Sequence, residues 1–153
     1  MSDNFRGSPG RHKPPSVTAA VLFDLLNPIP FGFFVGALIF DAVYVSSADV
    51  MWFKAAAWLI SIGLVFAVIP RFINLAWVWF PGSRRSTVRD KGAFFMVLAG
   101  VAAAIVNAFV HSRDAYGIMP EGLLLSILTV ALMAAGSVLV ALQNSTNDLR
   151  VQA

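Results

Sequence analysis

Four long apolar runs separated by short polar breaks dominate the chain, at about 30–47, 52–80, 92–111 and 122–143. Each is roughly 20 residues or more of mainly Ala, Val, Leu, Ile, Phe and Met, and a helix rising about 1.5 Å per residue then crosses about 30 Å of hydrocarbon. The breaks at 46–49, 81–91 and 112–121 are short, so consecutive runs must be antiparallel neighbours. The expected fold class is all-α, an integral membrane four-helix up-down bundle.

Ahead of the runs, residues 1–15 are rich in Gly, Pro and charge and read as a disordered tail. Residues 16–26 place Val17, Ala20, Val21 and Leu25 on one stripe with Thr18 and Asp24 elsewhere, which predicts a short N-terminal helix lying at the membrane interface. Asn27-Pro28-Ile29-Pro30 breaks it, although proline is well tolerated in the first turn of the next helix. The transmembrane domain is thus expected over 16–143, followed by a C-terminal tail at 144–153. No cleavable signal peptide is apparent, because the basic tail leads into a short segment carrying Asp24 and ending at Asn27-Pro28.

Composition agrees with the pattern. Of 153 residues, 58% are hydrophobic and 12% charged, half the charge of an ordinary soluble domain. A chain this small has too little interior to bury so much apolar surface away from water. The net charge of +3 would suggest nucleic acid in a soluble protein, but here the basic residues flank the apolar runs. Arg6, Arg11, Lys13, Arg84, Arg85, Arg89, Lys91 and Arg150 fall on one side, against Lys54 and Arg113 on the other. The positive-inside rule then predicts an inner-membrane protein with both termini cytoplasmic, and Arg84, Arg85, Arg89 and Lys91 as an orientation signal touching anionic lipid headgroups. Trp77, Trp79 and Phe80 at one end of the second run, and Met51-Trp52-Phe53 at the other, suit interfacial aromatic belts. The expected partners are the lipid bilayer and other membrane proteins or a second copy, with no nucleic acid.

Absence of cysteine removes disulfides and thiolate chemistry. His12 and His111 lie on opposite sides of the membrane and cannot share a haem or metal, so neither cofactor, metal ligand nor catalytic residue is expected, single ligation by His111 being a minor alternative. The candidates are polar groups inside the runs, because an ionisable side chain there costs several kcal/mol unless paired or hydrated. Asp41 lies about 17 Å from the start of the first run and Arg71 about 14 Å from the end of the second, which predicts a charge-assisted Asp41–Arg71 pair. As a packing lock the pair has more precedent than as part of a proton or solute site, and a third option has each side chain snorkelling to its nearer interface. Pro70 predicts a kink beside Arg71, and Asn74, one turn on, shares its face, which makes Ser126 or Thr129 the candidates to complete a polar pocket. Asn107 in the third run invites the same structural or functional readings. Gly32-x-x-x-Gly36 has the spacing for close helix approach, inside the monomer in preference to a dimer.

The stretch from Asn27 to Asp41, with Pro28, Pro30 and Asp41 in place, resembles the opening of the bacterial membrane proteins grouped as Domain of Unknown Function 2231. The resemblance covers roughly 27–113 and implies four spans. It departs where Asn27 replaces a family histidine, where Asn74 stands near a family aspartate, and where 93–98 lacks a further histidine, so it implies no haem or metal capacity here. Three functional classes follow, in order: a non-catalytic accessory or scaffold component of a membrane complex, a small transporter or proton-conducting unit using Asp41, Arg71, Asn74 and Asn107, and a haem- or quinone-linked redox subunit.

Overall fold

The computed structural model describes residues 17–79, 88–113 and 117–152. They form five helices, α1 Val17–Leu26, α2 Pro28–Ser47, α3 Val50–Trp79, α4 Val88–His111 and α5 Glu121–Gln152. Helices α2 to α5 are each long and apolar enough to cross a membrane, which makes this an all-α four-helix bundle and marks a membrane protein. No more than 33% of any of the four apolar stretches is buried inside the bundle. Large side chains such as Trp58 (70% exposed), Phe72, Phe109 and Leu124 point outward instead, a surface that water does not tolerate over such an area.

Two antiparallel hairpins, α2/α3 and α4/α5, pack side by side so that α2 meets α5 and α3 meets α4, leaving α2 and α4 across a diagonal. Helix α1 lies mainly on α3. Both hairpin connections fall at one end of the bundle, here termed the hairpin end; the α3–α4 link is at the opposite, tail end and lies outside the described residues. The α2–α3 turn is built from Ala48, in the left-handed region at φ 53°, whose N–H donates to the Tyr44 carbonyl at 2.8 Å. The Asp49 carboxylate then accepts the Met51 N–H at 2.9 Å and caps α3.

This turn fixes the register of the first hairpin. Tyr44 stacks obliquely on Phe53, and Phe34 covers Gly63, where an added Cβ would sit 3.0 Å from the ring. The core runs from Phe34, Ala37, Ala56 and Ile60 across to Val97, Ala104 and Met133, with a second cluster of Tyr44, Phe53 and Ile118 at the hairpin end. Small residues let α4 and α5 approach closely: a Cβ on Gly136 would lie 2.5 Å from Val97 Cγ2, and one on Gly100 2.8 Å from Met133 Cγ.

Several boundaries and placements differ from expectation. The first apolar helix begins at Pro28, since proline at its first positions gives up no needed hydrogen bond. Helix α5 continues through Gln152, so the stretch 144–152 read as a tail is helical. Trp52 and Phe53 do not form an outward belt: Phe53 is buried against Tyr44 and His111, and Trp52 packs on Phe40. Of the two glycines four apart, Gly36 meets Leu59 while Gly32 faces open space. The tail 1–15, the side chains of Asn74, Trp77, Trp79 and Arg89, and residues Phe80, Arg84 and Arg85 lie outside the described residues.

Candidate functional site

Near the hairpin end three of the four helices, α2, α4 and α5, contribute to one buried polar cluster. Asp41 comes from α2 six residues before its end, His111 is the last residue of α4, Asn107 lies one turn earlier, and Ser126 and Thr129 lie in the first turns of α5. At about 1.5 Å per residue these positions fall within roughly 12 Å of that end. Asp41 is 0% exposed and His111 5%, and Asn107, Ser126 and Thr129 are equally enclosed.

The hydrogen bonds form a chain across the bundle. His111 Nε2 lies 2.9 Å from Asp41 Oδ1, an ion-pair distance that spans the α2–α4 diagonal. The Ser126 hydroxyl donates to Asp41 Oδ2 at 2.5 Å, and the Asn107 amide donates to Ser126 Oγ at 2.7 Å. His111 Nδ1 lies 3.0 Å from the Asn107 backbone carbonyl oxygen, one helical turn back. Helix α3 supplies apolar support, with the Phe53 ring stacked on the His111 ring at 5.2 Å and 12°. Helix α5 reaches the imidazole because position 122 is glycine: a Cβ there would sit 3.1 Å from His111 Cε1 and 2.7 Å from Ile118 Cγ2.

Two polar atoms of the cluster have no partner, Asn107 Oδ1 and Thr129 Oγ1. Both residues line a slit bounded by Phe34, Ala37, Ile60, Ala104 and Ser126, which is too narrow at every point for a water molecule. In an enclosed, low-dielectric setting an unmet acceptor of this kind is costly, and the buried Asp41 carboxyl is tolerable because His111 and Ser126 meet both its oxygens.

The predicted Asp41–Arg71 pair does not form. Arg71 Nη2 donates instead to the Asn27 side-chain oxygen at the α1–α2 break, and Asn27 makes no side-chain cap to α2. The reason is geometric. Helices α2 and α3 start level at their shared turn, but α2 has 20 residues and α3 has 30, so α3 overhangs by about 15 Å at the tail end. Depth counted from the far ends therefore placed Arg71 beside Asp41, whereas depth counted from the turn places it opposite Asn27. Pro70 lies inside α3 without ending it. Ser126 and Thr129, expected beside Arg71, belong to the Asp41 cluster, and so does Asn107. Lys91 is exposed on α4.

His111 is the residue that sequence reasoning missed as a partner for Asp41. It was read as a lone group at a helix end, yet its spacing of four from Asn107 puts both on one face of α4. Counting from the hairpin end brings Asp41 and Ser126 to similar depth, about 9 and 8 Å, with His111 at the very end of α4. Among the described residues no group of three or more His, Cys, Asp or Glu side chains is positioned to hold a metal ion. Both His111 nitrogens are engaged, by Asp41 and by the Asn107 carbonyl, so haem or metal ligation would require breaking one of these contacts. Comparison with family models, with curated proteins and with solved structures returned no match, so the geometry of this cluster is the ground on which function is argued.

Proposed function

We propose that the protein is a non-catalytic accessory or scaffold component of a bacterial inner-membrane complex, with its termini on the cytoplasmic side. The observation that carries this reading is how the intramembrane polar residues are used. Asp41 spends both oxygens on His111 and Ser126, Arg71 engages Asn27, and the slit beside Asn107 and Thr129 is too narrow for water. Polar groups spent on one another specify how helices pack, and a bundle fixed in this way suits a framework on which other membrane proteins dock. The basic residues at 84–91 support the orientation by the positive-inside rule, and Arg84, Arg85, Arg89 and Lys91 suit anionic headgroups. The likeness of 27–41 to Domain of Unknown Function 2231 fits a four-span protein.

The runner-up, a small proton-conducting unit, is favoured by one specific observation, the buried Asp41–His111 dyad. Reconstitution decides between the two. Vesicles loaded with a pH-sensitive dye and given a potassium diffusion potential should acidify no faster with the protein than without it, while gentle extraction from native membranes should yield it in an assembly larger than its own monomer or dimer. Proton flux that disappears in Asp41→Asn would replace the accessory reading with conduction.

A further inference from the structure

We propose that Asp41 and His111 together form an intramembrane proton-binding site, holding one shared proton between Asp41 Oδ1 and His111 Nε2. The proposal rests on hydrogen-bond bookkeeping at the imidazole. Nδ1 lies 3.0 Å from the Asn107 backbone carbonyl oxygen, and a carbonyl only accepts, so Nδ1 carries a hydrogen. Turning the ring over would put carbon atoms where both nitrogens stand and forfeit both contacts.

With Nδ1 donating, the 2.9 Å contact between Nε2 and Oδ1 has two satisfactory forms. Either an imidazolium N–H donates to an aspartate carboxylate, or a protonated carboxyl donates to a neutral Nε2. Each form places one proton in this gap and leaves the pair electrically neutral. Two forms with a neutral ring and ionised Asp41 remain: with the hydrogen on Nδ1, the Nε2 lone pair faces the carboxylate at 2.9 Å, and with the hydrogen on Nε2, the Nδ1 lone pair faces a carbonyl oxygen. The second keeps the contact to Asp41 only by giving up the one to Asn107. Both leave a net negative charge on a residue that is 0% exposed in the bundle interior.

Among the described residues no other group on the surrounding helices supplies that neutralising charge. Helix α2 adds Tyr44 one turn along, and α3 faces the pair with Phe53 and Ala56 while its Lys54 is exposed. Helix α4 adds Asn107, with Arg113 exposed just past its end, and α5 adds Ser126 and Thr129, with Glu121 exposed at its start. Among the described residues Asp41 forms an ion pair with His111 alone. On its other oxygen the Ser126 hydroxyl already donates, and Asn107 donates in turn to Ser126, so these two hydrogen bonds both run toward Asp41 Oδ2. The proton count does not depend on the accessory reading: vesicles without proton flux would leave it untouched.

The test is solid-state nitrogen NMR on the full chain in lipid vesicles at about pH 8, well above the ordinary histidine pKa of about 6.5. Labelled histidine in a His12→Gln background leaves His111 as the single signal, since the chain has two histidines. The expected spectrum has a hydrogen on Nδ1, with Nε2 either also protonated or bare; in the second case infrared spectra show a carboxylic acid band that is lost in Asp41→Asn. A bare Nδ1 with the hydrogen on Nε2 overturns the proposal, and so does a bare Nε2 without that band. Because the deciding signal comes from the chain that retains Asp41, it stands even if Asp41→Asn fails to assemble.

Discussion

His111 reaches across the diagonal of the bundle to Asp41, Nε2 to Oδ1 at 2.9 Å, and so ties together two helices that share little direct packing. Neighbouring helices are held by long apolar seams and by close approach at Gly100 and Gly136. The α2–α4 diagonal depends on this polar contact, backed by Phe53 from α3 and by Ser126 from α5.

Removing one partner therefore leaves the other buried without its counter-group. Asp41→Ala is expected to destabilise by about 3–5 kcal/mol, and His111→Ala by a comparable amount. The double variant should lose clearly less than the sum, with a coupling of about 1–3 kcal/mol. Thermal or denaturant unfolding of the four proteins in one detergent measures this; additive losses would mean that the pair contributes no interaction of its own.

Arg71 belongs to a different contact at the other end of the molecule. Combining Asp41→Asn with Arg71→Leu should be additive to within about 0.5 kcal/mol, whereas Arg71→Leu with Asn27→Ala should not be. Coupling between Asp41 and Arg71 in the same unfolding assay would contradict the hairpin register described above.

The glycines separate close packing from open surface. Gly122→Ala brings a Cβ to 2.7 Å from Ile118 and 3.1 Å from the His111 ring, so it should cost about 1–3 kcal/mol and shift the His111 NMR signal. Gly136→Ala, set against Val97 and the Ala93 carbonyl, should be similarly harmful. Gly32→Ala meets nothing within 4 Å and should be neutral or stabilising by up to about 1 kcal/mol through helix propensity.

The Thr129 hydroxyl has no hydrogen-bond partner, so replacing it with a methyl removes an unmet polar group at almost constant volume. Thr129→Val is expected to be neutral or mildly stabilising, while Asn107→Leu, which takes the donor from Ser126, should cost about 1–3 kcal/mol. Parallel melting curves of the two variants check the contrast.

The fold was legible from periodicity and length because a membrane span is specified by little else: about 20 apolar residues with polar ends predict α2 to α5 and their antiparallel order. Helix ends were less legible, since propensity alone does not distinguish the end of the apolar stretch near Leu142 from the end of the helix at Gln152. Within the site, Asp41 and Asn107 stood out as polar groups in apolar surroundings. Their partners did not, because pairing depends on depth and azimuth in the bundle. Depth is set by the Ala48 turn, where α2 and α3 are level, and the burial of His111 at the end of α4 comes from the Phe53 ring and the close approach of α5 at Gly122, neither of which is encoded near it in the sequence.

The contact at the centre of this arrangement is accessible to one direct measurement. Nitrogen–carbon dipolar recoupling between labelled histidine Nε2 and aspartate Cγ, with the His12→Gln chain in lipid bilayers, reports whether His111 touches an aspartate, and Asp41→Asn assigns which. A strong coupling that vanishes in Asp41→Asn is the expected result. No coupling in the chain that retains Asp41, or one that survives the substitution, would contradict it.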